Sequence, residues 1–161
     1  MVSWASHVDY TAWASMRLTE ACAGLTPDEL TRDFGTADKS VLGTLVHVFG
    51  ADRVWLARVE GRTPEAFLTE ADHDLAVLQL DWPEVLEGWK RWVAGLDEAA
   101  LNGEMTYRDL KGREWRNTRW QIVAHVVNHA THHRGQVAGF LRAMGKKPPV
   151  LDEIAFFRER L

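Results

Sequence analysis

"TRWQIVAHVVNHATHHRGQVAGFLRAMG", residues 118–145, decides how this chain folds. Its apolar residues recur at helical spacing for about seven turns without a Gly-Pro break. Thr118 and Gln121 stand at capping-box spacing, which predicts a start at Asn117 or Thr118. Gly145, followed by Pro148 and Pro149, predicts the stop after Met144. A helix of this length needs partners of similar length to cover its apolar stripe.

The remainder of the chain supplies them. Roughly Ser3–Ala23 has helical spacing, with Val8, Ala12 and Met16 on one side. A second long helix is expected from about Asp38 to Val59, stopped by Gly61 and Pro64. "DWPE" predicts the opening of a third, with Asp81 as cap, Pro83 in the first turn and Glu84 three residues on, ending near Leu96. "TPDEL" reads as one short helical turn, with Thr26 and Glu29 at capping-box spacing and Pro27 at the first helical position. Residues 62–80 read as a loop holding at most a turn of helix. "EMTYRDLKGREWRN" changes character and predicts a short β-hairpin or an irregular excursion before the last long helix. "LDEIAFFRERL" closes the chain as a short helix. Four main helices joined by short connections predict an all-α fold, a four-helix bundle, as one domain over residues 1–161.

Composition narrows the function. The net charge is −4, so the chain lacks the basic surface that nucleic-acid binding needs. No apolar run is long enough for a transmembrane helix, and "MVSWASHVDY" has no basic-then-apolar signal pattern. Cys22 is the only cysteine, which excludes an intramolecular disulfide and fits a reducing, cytoplasmic setting. Eight tryptophans exceed what composition alone leads one to expect, and they serve either the core or a ligand pocket.

Four of the seven histidines fall within nine residues of the last long helix: His125, His129, His132 and His133. At ~100° per residue, with His125 at zero, His129 lies at ~40°, His133 at ~80° and His132 at ~340°. The apolar residues of the same helix centre on ~120°. His133 is therefore nearest the buried stripe, His129 on its shoulder, His125 further round and His132 outermost. His129 and His133 are four apart, the spacing at which two imidazoles can grip one metal ion. His47, between Val46 and Val48 in the second helix, has no obvious route to water and is the natural third ligand from a facing helix. A hydrogen-bonded core histidine is the plainer alternative for each. Ala130 stands where the helical zinc-protease motif needs a glutamate, which disfavours that chemistry.

These residues resemble a known family. "LGTLVHVFGADRVWLARVEG", "TYRDLKGREW", "HVVNHATHHRGQVAGFLRAMGKKPPVLDEIAF" and, near the start, "DYTAWASMRL" resemble the DinB/YfiT-like family, over nearly the whole chain. The resemblance implies a bundle with up-down-down-up connectivity. It implies a divalent metal ion, zinc or nickel, held by His47, His129 and His133. It also implies a homodimer, and a function that in some members is the transfer of a low-molecular-weight thiol of the bacillithiol or mycothiol type onto an electrophile. A non-catalytic metal-binding stress-response protein and a metal-dependent hydrolase remain the alternatives.

Other residues stay open at this level. His125 is either a hydrogen-bond partner beside the site or a histidine at the bundle edge. Arg134 either contacts a substrate carboxylate or lies on the surface. Trp55, two turns after His47, either lines the pocket or packs in the core. Gly135 and Gln136 suggest close helix packing and a polar contact. Asp9 and Asp52 read as solvated or salt-bridged carboxylates, His73 as an exposed loop residue, and no general base is evident.

Overall fold

The computed structural model describes residues 4–64 and 74–161. His73, and residues 65–73 of the expected loop, lie outside them. The chain forms α1 (Trp4–Cys22), α2 (Pro27–Thr31), α3 (Val41–Val59), α4 (Leu75–Ala94), α5 (Glu98–Asn102), β1 (Glu104–Arg108), β2 (Glu114–Thr118), α6 (Arg119–Ala143) and α7 (Glu153–Arg158). The protein is mostly helical, with one small antiparallel hairpin. None of the described helices is long and apolar enough to cross a membrane.

Local signals set most boundaries. Ser40 caps α3 by accepting from the Gly43 amide at 2.9 Å. Both halves of the Thr26–Glu29 capping box form at α2. At α6 only the return half forms. Gln121 accepts from the Thr118 amide at 3.1 Å, while the Thr118 hydroxyl is buried without a partner. Gly145, at φ +74°, ends α6: its amide bonds to the Arg142 carbonyl and the next amide to Leu141, both at 2.9 Å.

The third long helix starts earlier than the sequence reading places it. Asp74, not Asp81, is its cap, accepting from Val77 at 2.9 Å. Leu75, Leu78, Trp82, Leu86, Trp89 and Val93 then form one buried stripe at helical spacing. Pro83 sits inside α4 and removes the amide that would bond to the Gln79 carbonyl. Gln79 is exposed, so water can take the freed carbonyl. Between α4 and the hairpin the chain forms a further short helix, α5, capped by Asp97 onto Ala100.

Helix α1 packs on α4 and α6, and α3 packs on both α4 and α6. One apolar cluster joins Leu18, Val41, Leu45, Phe49, Leu78, Trp82 and Leu141 from all four long helices. Asp52 of α3 lies inside, 1% exposed, where the sequence suggested a solvated or salt-bridged group. Trp82 Nε1 donates to its carboxylate at 2.9 Å, and Trp89 Nε1 donates to its backbone carbonyl at 3.0 Å. Its second carboxylate oxygen has no partner, and burial pushes its pKa up to about 7. Asp9 does lie at the surface, near Lys90 and Arg160.

The hairpin sits at one end of the α3–α6 interface. Tyr107 pairs with Trp115 across it. Asp109 closes the turn by accepting from the amides of Lys111 and Arg113.

Candidate metal centre

Helices α3 and α6 bring His47, His129 and His133 together. One nitrogen from each lies within 4.8 Å of the others. The Nε2 atoms of His47 and His129 face each other at 3.0 Å. Two imidazole nitrogens sharing a tetrahedral zinc-type ion sit about 3.3 Å apart, so this pair is already near ligating distance. The ring centroids of His133 lie 4.6 Å from His47 and 4.5 Å from His129.

Burial favours the neutral imidazole, the form that binds metals. Desolvation, followed by the neighbouring histidines, pulls the His129 pKa down to about 3. Desolvation also lowers that of His133, against the opposing pull of its bond to Gln136. The group is not sealed. The His47 side chain is 29% exposed and that of His133 11%. His47 thus reaches water, contrary to the sequence reading.

One polar group fixes a ring from behind, and a carboxylate stands near two of them. His133 Nδ1 donates to Gln136 Oε1 at 2.7 Å, which leaves Nε2 free to face the other histidines. Asp38 places one carboxylate oxygen 3.6 Å from His47 Nδ1 and the other 3.7 Å from His133 Nδ1. Asp38 precedes Lys39, whose φ of 61° is left-handed and costs an ordinary side chain about 1 kcal/mol or more. The strained turn before α3 is what carries Asp38 under the triad. Gln136 carries a signal in sequence, being three residues after His133 on one helix face. Asp38 carries none, since its approach depends on the turn.

The other sequence candidates divide. His125 is exposed overall, but its ring meets His129 at 5.6 Å and Trp55 at 5.2 Å. Trp55 is partly buried and faces His125 and Tyr107. Arg134 is not brought to the triad, and it is not on the surface. It is 2% exposed, its guanidinium donating to the Thr11 carbonyl, Ser15 and Thr131 beside the Tyr10 ring. One residue along α6 from His133 turns it ~100° toward α1. Gly135 is exposed with open space around it, so close packing does not require it. His132 is exposed.

A helical protein with three histidines converging from two helices, able to hold a metal ion, is the class these features define. The sequence model of the DinB family matches residues 1–160, and the chain belongs to that family. It is similar to Protein DinB of Bacillus subtilis (strain 168), 23% identical over 143 residues that cover 85% of this chain and 83% of that protein.

Proposed function

We propose that this protein is a metal-dependent transferase in which His47, His129 and His133 hold a divalent cation, zinc or nickel, and the sulfur of a low-molecular-weight thiol, its proton passing to solvent, displaces a leaving group from an electrophilic substrate beside it. The observation that carries the reading is the convergence of three imidazoles, two of them with Nε2 atoms 3.0 Å apart, at a place still open to solvent. The donor set fits the ion: all nitrogen, with burial favouring the neutral form at His129 and His133. A three-protein-ligand site keeps a position for an exchangeable group, as catalytic sites do. A divalent cation bound there supplies positive charge that lowers the pKa of a thiol or water beside it.

The chain's own residues do the rest. Gln136 holds the His133 ring in orientation, and the Asp38 carboxylate places negative charge beside His47 and His133. His125 and Trp55 form a wall next to His129. The single cysteine, Cys22, is fully buried, and desolvation pushes its thiol up to about 12. The thiolate nucleophile therefore has to arrive with a co-substrate. The thiol of bacillithiol or mycothiol type, and a homodimeric assembly, are taken from the resemblance to the DinB/YfiT-like family. The cyclic packing of α1, α4, α3 and α6 supports a single four-helix bundle. Trp4 meets Trp120 and Ser15 meets Arg134, so α1 runs parallel to α6. Phe49 meets Trp82 and Leu56 lies against Gly88, so α3 runs parallel to α4. His47 meets His129 and Trp55 meets His125, so α3 runs antiparallel to α6, which supports up-down-down-up connectivity.

Metal analysis with thiol screening tests the proposal. Purified or reconstituted protein should carry about one ion per chain, lost in His47→Ala, His129→Ala and His133→Ala. Metal-loaded protein should then conjugate a small thiol to an electrophile such as monochlorobimane. Turnover with water alone would instead make it a hydrolase. Stoichiometric metal with no turnover of either kind would make it a metal-binding protein.

A further inference from the structure

A line of ring contacts leads away from the triad. His129 meets His125 at 5.6 Å, His125 meets Trp55 at 5.2 Å, and Trp55 meets Tyr107 of the hairpin at 4.9 Å. Arg58 stands at its end, with the guanidinium carbon 4.5 Å from the Trp55 ring centre and 5.4 Å from that of Tyr107. Arg58 is eleven residues after His47 on α3. Eleven steps return to within ~20° of the same side, ~16 Å along the axis. Triad, aromatic wall and cation thus share one side of the α3–α6 interface.

Among the described residues, Arg58 is a cation without a counter-ion. It forms no ion pair among the described residues, and its buried Nε meets no acceptor. The carboxylate whose charge it feels is Asp109, and Asp109 is fully engaged. One of its oxygens accepts from the Lys111 and Arg113 amides at 2.8 and 2.9 Å. The other accepts from Arg113 Nε and Trp115 Nε1 at 3.1 and 3.0 Å. The Tyr107 hydroxyl donates to Asn117. A half-buried guanidinium stacked on an aromatic ring, with donors to spare, is suited to a planar oxyanion. Stacking on Trp55 explains where the charge rests, but it uses none of the terminal N–H groups, which, unlike the buried Nε, an incoming oxyanion can reach.

We propose that Arg58 is the anion-binding element of this site and takes a carboxylate carried by the thiol co-substrate, whose sulfur end lies at the triad. The substrate class is then an elongated thiol acid that lies along Trp55 and His125. This rests on the thiol-transfer reading given above.

The test uses cobalt(II)-loaded protein, in which thiolate coordination appears as a charge-transfer absorption. ω-Mercaptocarboxylates of about six to sixteen carbons, a range chosen to bracket the helix span, are titrated beside ω-mercaptoalcohols of equal length. At one or more lengths the carboxylate should bind about tenfold tighter than its alcohol. That preference should fall below about twofold in Arg58→Gln, with metal content and alcohol affinity unchanged. Arg58→Lys keeps the charge without the fork, so it should give an intermediate preference. It also carries the test if Arg58→Gln does not fold. Equal binding of acids and alcohols at every length would overturn the proposal while leaving thiol transfer standing. So would a preference that survives in Arg58→Gln. If neither series produces the absorption, the thiol reading itself fails, and the assignment of Arg58 fails with it.

Discussion

Gln136 holds His133 by its Nδ1 at 2.7 Å, one helical turn away on the same face of α6. An amide oxygen can only accept, so it fixes the proton on Nδ1 and keeps Nε2 aimed at the other two histidines. Gln136→Leu removes this acceptor while keeping the bulk. Metal affinity should fall about 10- to 100-fold, as is usual when a ligand's supporting bond is lost. Competition against a chromophoric chelator measures it, and unchanged affinity would deny Gln136 that role.

Asp38 addresses two of the three rings at once, at 3.6 and 3.7 Å. Asp38→Ala should also weaken metal binding by about tenfold or more. Asp38→Asn keeps the acceptor but loses the charge, and should lie between wild type and alanine. If Asp38→Asn binds no better than Asp38→Ala, the carboxylate's charge is what matters and its acceptor geometry is not.

Asp52 makes a prediction about pH. Its folded pKa, raised to about 7 by burial, exceeds the ordinary value of 3.8. The folded state therefore favours the protonated carboxyl. Its contribution to stability is fully present below about pH 4, fades as pH rises, and is lost above about pH 7. The total is at most on the order of 4 kcal/mol, at ~1.4 kcal/mol per pK unit. Asp52→Asn keeps an acceptor for Trp82 and has nothing to titrate. Urea denaturation of both proteins from pH 4 to 8 should show wild type losing ground to the variant as pH rises. Parallel curves would mean that Asp52 is ionised in the fold throughout.

Trp82→Phe probes the same group from the other side. It removes the Nε1 donor and leaves both oxygens of Asp52 without a partner. An unsatisfied buried acceptor costs about 1–3 kcal/mol, and more when charged. The variant should thus lose more stability at pH 8 than at pH 5. Equal losses at both would reduce the effect to packing.

Cys22 should be inert. With the thiol pushed up to about 12 and no exposed surface, it should resist iodoacetamide at pH 8 in the folded protein and react fully in urea. Rapid labelling of the native chain would mean that α1 opens at that end.

The helix that carries the histidines was legible because its apolar period, its cap and its Gly145 stop all agree. The inward phase of His129 and His133 was legible for a related reason, since helical phase depends only on spacing; His47 was singled out for a burial it does not have, its side chain being 29% exposed, although it does join them from the facing helix. The start of α4 was not. "DWPE" has every residue of a helix start, but the Leu75–Leu78–Trp82 stripe begins a turn and a half before it and burial overrides the local signal. The placing of Arg134 was beyond reach, because nothing in "HHRGQ" tells that Ser15 and the Thr11 carbonyl wait on α1. Asp38 and Arg58 depend in the same way on neighbours far along the chain.

His47 and His129 are 82 residues apart in sequence and 3.0 Å apart in space. A cation gripped by both would be a removable bolt across that loop. The unfolded chain, with the bolt drawn, regains the freedom of the whole intervening segment. Each tenfold rise in free metal above its dissociation constant would deepen the folded well by about 1.4 kcal/mol. The abundance of this protein in a cell would then follow the local supply of metal.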